Sequence, residues 1–196
     1  MRAMSEWMWY LTRSTGIVAA VLAVASLVWG FTFSARNTGR RLKANWWLAL
    51  HNWLGGLTLG FTGAHMLLAF LDTQAGLRFI DLFVPSGQVG WAIGWGVVAF
   101  WVFAVVTLTS IARVRRRLPR KAWHLVHLVS VPAVLVMAIH AYQIGSDALA
   151  RWFLWGLAGL AGLAIYPLSV RLLGVAASRR AAADSTRLPV RQRAAA

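Results

Sequence analysis

Five stretches of this chain are apolar over the length of a membrane-crossing helix, and this limits what it can fold into more than any other feature. They lie at 15–33, 46–71, 90–111, 123–144 and 152–173, and only Arg171, near the end of the last, puts a charge inside one. About 20 helical residues cover the hydrocarbon of a bilayer. Inside it every backbone N–H and C=O must be satisfied within the segment, so runs of this kind are helices. The sequence therefore predicts an all-α, polytopic membrane bundle of five transmembrane helices. Of the 196 residues, 59% are hydrophobic and 13% charged, whereas a soluble domain averages about half and a quarter. That excludes a soluble enzyme with a polar surface and a disordered chain. The absence of Cys excludes disulfide scaffolds, thiolate metal sites, iron–sulfur clusters and c-type haem.

The few charges are lopsided, with 20 Lys and Arg against five Asp and Glu. A basic chain can bind nucleic acid or mark the inner face of a membrane, and the placement of the charges separates the two. Arg36, Arg40, Arg41 and Lys43 follow the first span. Arg113, Arg115, Arg116, Arg117, Arg120 and Lys121 follow the third. Arg171, Arg179, Arg180, Arg187, Arg191 and Arg193 lie at or beyond the end of the fifth. The alternate connectors hold only Arg2, Arg13, Arg78 and Arg151, with Glu6, Asp72, Asp81 and Asp147. The positive-inside rule then predicts an N-terminus outside and a C-terminus in the cytoplasm. Three basic clusters separated by membrane-length runs do not make a nucleic-acid stripe; their expected contact is anionic lipid headgroups. Trp7, Trp9 and Tyr10 read as an interfacial aromatic belt, and no small-residue site ends the first span as a cleaved signal would. The sequence shows no convincing internal repeat.

Five histidines stand out: His51 and His65 in the second span, and His124, His127 and His140 in the fourth. Intramembrane ionisable residues mark function by default, although a single such His is equally well an interhelical hydrogen bond. His65 lies 14 residues beyond His51, about 21 Å along a helix and about 40° short of four whole turns. His140 lies 13 residues beyond His127, about 20 Å along a span running in the same direction. His51 is thus level with His127, and His65 with His140. Two pairs at matched depths suit two stacked b-type haems, each iron held by one imidazole from each helix. Thirteen residues of ideal helix turn by about 220°, however, so the second pair needs a distortion, and Pro132 is placed to supply one. His124, one turn from His127, is a competing inner ligand or a supporting group. Gly55, Gly56, Gly60 and Gly63 lie between the histidines of the second span, where small residues would admit a flat ring or a neighbouring helix. Zinc would need ligands converging within a few ångströms rather than spread over the membrane.

In this pattern the chain resembles the ferric reductase-like transmembrane domain family, which includes the membrane halves of ferric reductases and NADPH oxidases. Its bacterial relatives include the membrane haem subunit of a periplasmic methionine-sulfoxide reductase system. The likeness runs from about residue 9 to 152. It rests on Trp9-Tyr10-Leu11-Thr12-Arg13, on His51 and His65 with 13 residues between, and on Thr109-Ser110 and Arg113. It continues through Trp123 four residues before His127, His140 after 12 intervening residues, and Gly145-Ser146-Asp147. The resemblance implies two haems b, with His51 and His127 on the inner one and His65 and His140 on the outer one. It also implies a propionate partner in Arg13, whereas Arg78 reads more simply as a solvated side chain.

The division expected is a di-haem domain over 1–177 and a basic, disordered cytoplasmic tail over 178–196. Ferric reductases and oxidases continue into a cytoplasmic domain for FAD and NADPH, and no Gly-rich phosphate-binding turn is found here. The chain is therefore expected to act as an oxidoreductase subunit in a bacterial cytoplasmic membrane. A partner flavoprotein or membrane quinol would supply electrons, and a protein or small oxidant outside would accept them. Two alternatives stay open: a quinol-oxidising cytochrome b, and a non-redox transporter or assembly protein with intramembrane histidines.

Overall fold

A computed structural model describes residues 2–34, 44–85, 90–145 and 148–187. The basic residues Arg36, Arg40, Arg41, Lys43, Arg191 and Arg193, together with Ser146 and Asp147, lie outside the described residues. The described residues are mostly helical and include no strand, with five segments long and apolar enough to cross a membrane. Helix α1 spans Arg2–Ser34 and α2 spans Ala44–Leu71. Helix α3, Trp91–Ser110, is followed by a single turn, α4, at Ala112–Arg115. The fourth crossing consists of α5, Arg120–Leu128, and α6, Ser130–Ile144; the fifth is α7, Arg151–Arg187.

The break in the fourth crossing has an identifiable cause. Pro132 has no N–H for the Leu128 carbonyl, and its ring crowds that carbonyl. At the preceding turn the Val129 N–H reaches back to Val126 O at 3.2 Å, one residue short of α-helical register. The Ser130 hydroxyl donates to His127 O at 2.7 Å. The stretch expected as one span still crosses as one segment, Arg120–Ile144, interrupted at the single residue Val129.

Helix α7 runs on past the apolar span, through residues 178–187, to Arg187. Ala176, Ala177, Ala181, Ala182 and Ala183 fill this stretch, and Ala has the highest helix propensity of any residue. Pro167 sits within α7, as membrane helices tolerate. Residues 188–196 lie outside the described residues.

The most extensive helix contacts are between α1 and α2 and between α3 and α6, so the bundle is built from two antiparallel hairpins. Their common core is small: Ala23 and Val24 of α1, Ala99 and Phe103 of α3, and Ala133 and Val134 of α6. Large apolar side chains face outward instead, Trp53 and Trp155 being 70% and 76% exposed. This inversion suits a lipid surround, because hydrocarbon gives helices no hydrophobic reason to hide Leu or Trp and small residues make the interfaces. Helix α7 contributes nothing buried from its apolar window and rests on α1 at the edge of the bundle.

Candidate functional site

Two cavities open within the bundle, one on each side of this core. The first, about 450 Å³, is lined by His51, His124 and His127 together with Ser26, Asn52 and Ser110. The second, about 360 Å³, is lined by His65, His140, Thr12, Arg13, Asp72 and Asp81. Phe103 faces both. The described basic residues of the α3–α5 connector lie at the end of the first cavity, and Arg78 and Asp81 at the end of the second.

The histidines pair as their depths require. The ring centres of His51 and His127 are 5.8 Å apart and those of His65 and His140 are 6.2 Å apart. Each pair joins α2 to the fourth crossing, with His127 on α5 and His140 on α6. The break between these helices lets side chains 13 residues apart reach the same partner helix. His124 lines the first cavity but is exposed and is not the ring that faces His51. Among the described residues no group of three or more His, Asp or Glu converges, so each pair is a two-donor site.

Hydrogen bonds turn one nitrogen of each ring away from its partner. His65 Nδ1 lies 2.7 Å from Thr12 O, and His140 Nδ1 lies 2.7 Å from Ala92 O. His51 Nδ1 lies 3.1 Å from Ser26 O and 3.4 Å from Ser26 Oγ. A carbonyl only accepts, so in these three rings Nδ1 carries the proton and Nε2 keeps its lone pair. His127 Nδ1 instead lies 3.4 Å from Ser110 Oγ, whose hydroxyl donates to Val106 O at 2.7 Å. That hydroxyl has spent its proton, so it too can only accept from the ring. Trp123 stacks on His127 at 4.9 Å with 24° between the planes, and the Arg115 guanidinium lies 4.5 Å above the Trp123 ring.

At the second cavity Arg13 packs over Trp9 at 4.8 Å and over Trp152 at 5.6 Å, tying the starts of α1 and α7 together. The neighbouring Thr12 hydroxyl is buried and has no partner. Arg78 does not reach into this cavity as a cation. Its guanidinium grips Asp81 through two bonds, of 3.1 and 2.9 Å, and its backbone N–H donates to the same carboxylate at 2.9 Å.

Two facing imidazole pairs at separate levels of a helical bundle, with five segments long and apolar enough to cross a membrane, define the class: a polytopic membrane protein with paired intramembrane histidines. The family model described as "Ferric reductase like transmembrane component" matches residues 7–138, well over half of the chain. The chain belongs to that family. Its members bind haem, and their general role is to carry electrons across a membrane in company with other redox proteins. No curated protein and no solved structure matches the chain. The family match contains His51, His65, His124 and His127 and ends two residues before His140.

The glycines between the two histidines of α2 are placed unevenly. Gly55 and Gly56 line the first cavity, but Gly60 and Gly63 border neither, and a Cβ added at any of the four would meet nothing within 4 Å. The carbonyls of Thr12, Ser26 and Ala92 were missed because a backbone acceptor leaves no side-chain signature. Their only trace in the sequence lies elsewhere in α1 and α3.

Proposed function

We propose that this chain is a di-haem transmembrane electron conduit, an oxidoreductase subunit that passes electrons from a cytoplasmic donor to an acceptor outside. His51 and His127 would hold the inner haem b, and His65 and His140 the outer. The observation that carries this reading is the facing of two imidazole pairs at 5.8 and 6.2 Å. Each pair brings one imidazole from α2 and one from the fourth crossing to the same level, the donor set that a b-type haem iron would take. The Nδ1 bonds leave each Nε2 lone pair available, as an imidazole that binds a metal would need. Haem bound there supplies reversible one-electron chemistry at iron.

The chain's own residues do the rest. The imidazoles would hold the group at each level, and Phe103 stands between the two levels, lining both cavities. Arg13 and the unpartnered Thr12 hydroxyl, both on the outer cavity, would take an outer propionate; His124 supports the inner level without ligating. The basic connectors support a cytoplasmic 51/127 end, against anionic lipid, with the N-terminus outside. There a flavoprotein or quinol would donate, in a bacterial cytoplasmic membrane, and a protein or small oxidant would accept outside.

The test is the visible spectrum of the purified protein with a pyridine haemochrome count. Two haems b per chain, low-spin on dithionite reduction, are expected. A colourless protein after expression with ample haem, or a single haem, would overturn the di-haem reading.

A further inference from the structure

The four acceptors opposite the histidines share one register. A helical side chain leans toward the N-terminus and covers the turn before its own Cα. Removing the side chain at one position therefore bares the carbonyl four residues earlier. That carbonyl already accepts its helical N–H but keeps a second lone pair. Four residues after Thr12 stands Gly16, four after Ser26 stands Gly30, and four after Ala92 stands Gly96. Each of these glycines lies against the histidine that bonds the bared carbonyl. A Cβ on Gly96 would sit 2.7 Å from His140 Cε1, one on Gly16 would sit 2.9 Å from His65 Nδ1, and one on Gly30 would sit 3.1 Å from His51 Cε1. In the fourth instance Ser110 stands four residues after Val106, and its hydroxyl bridges the Val106 carbonyl and His127.

We propose that Gly16, Gly30, Gly96 and Ser110 are the positioning residues of the site. Each forms, with the carbonyl four residues before it, a socket that seats one imidazole and directs its Nε2 inward. The sockets fall 14 residues apart in α1 and 14 apart in α3, matching the spacings of 14 and 13 between the histidines they serve. Hairpin α1–α2 and hairpin α3–α5–α6 are thus two versions of one unit, a socket helix followed by a ligand helix. This repeat is one of positions rather than residues, which is why the sequence shows none by inspection. Three sockets are bare backbone. The fourth carries a hydroxyl, and its imidazole is held at 3.4 Å instead of 2.7–3.1 Å.

The inference rests on the di-haem reading, and the experiment separates the two. Wild-type protein is counted for haem first; fewer than two per chain defeats the reading itself. With two present, Gly96→Ala and Gly16→Ala should each lose the outer haem and keep the inner. Gly30→Ala, with the looser contact, should lower inner occupancy only in part. Gly60→Ala, in open space, is the comparison and should keep both haems. Retention of both haems by Gly96→Ala and Gly16→Ala would overturn the sockets, as would loss of both from either variant. Ser110→Gly supplies a readout that simple packing would not move. It bares the Val106 carbonyl to His127, makes that ligand more basic, and should lower the midpoint potential of the inner haem alone. An unchanged inner midpoint, or an equal shift of both, would overturn the assignment.

Discussion

The two histidine levels share a plan and differ in how firmly they are held. At the 65/140 level both Nδ1 atoms lie 2.7 Å from main-chain carbonyls. At the 51/127 level the His51 bond to the Ser26 carbonyl lengthens to 3.1 Å and His127 meets only the Ser110 hydroxyl, at 3.4 Å; side chains add to the hold, with Ser26 Oγ 3.4 Å from His51 and Trp123 stacked on His127 beneath Arg115. A backbone acceptor moves only if its helix moves, whereas a serine or tryptophan can be exchanged singly. The level at the acidic end is therefore fixed by the fold, and the level at the basic end is open to adjustment by side chains.

The largest expected effects come from removing ligands one level at a time. His65→Ala or His140→Ala should each abolish one haem completely and leave the spectrum of the other unchanged, as read by haemochrome count and low-temperature difference spectra. At the other level His127→Ala should abolish the inner haem, and His124→Ala should leave both in place. If the His124 variant loses the inner haem while the His127 variant keeps it, the ring that faces His51 is not the ligand.

A smaller effect should follow from Pro132→Ala, which tests why the levels can coexist on the fourth crossing. The substitution gives the Leu128 carbonyl an N–H partner and removes a helix-interior proline worth about 3 kcal/mol of disruption. A continuous helix would place His127 and His140 about 220° apart, so both cannot face α2. We expect a thermally steadier apoprotein with about one haem per chain instead of two. Two haems at full occupancy would show that the break is not what aligns the rings.

The pairing of the histidines was legible in the sequence and the carbonyls behind them were not, for a physical reason. A histidine inside an apolar run is conspicuous, and helical rise alone matched His51 with His127 and His65 with His140. The rotation problem at 13 residues was also visible, and Pro132 was its visible remedy. The carbonyls of Thr12, Ser26 and Ala92 could not be read, because every residue has one and only tertiary packing selects which is used. Gly16, Gly30 and Gly96 were in view, but among 17 glycines nothing distinguished them until their distance to the histidines was known. Gly60 and Gly63, which looked better placed between two ligands, face open space. In the tail a run of charge and alanine reads equally as solvated coil or as helix, and the described part, to Arg187, is helix.

The smallest expected effect lies at the edge of the 65/140 level, in the turn Phe79–Leu82. Hydrogen bonds from the Arg78 guanidinium and backbone hold the Asp81 carboxyl below its ordinary range. A carboxyl lowered on folding stabilises the turn fully above its unfolded value of about 3.9, and that stability is lost as pH falls through the lowered folded value. Arg78 is 62% exposed, so solvent screens the pair and the effect on the whole protein should be slight. Hydrogen exchange at the amides of Asp81, Phe83 and Val84, which bond back to Arg78 and Ile80, is the suitable probe. Corrected for intrinsic rates, their protection should be flat from pH 8 to about 5 and fall only in stronger acid. Asp81→Asn should show the unprotected state throughout, with the outer haem retained. Loss of protection near neutral pH would mean that a different group closes the turn, and loss of the haem from the Asn variant would make Asp81 part of the cavity's hold on its ligand.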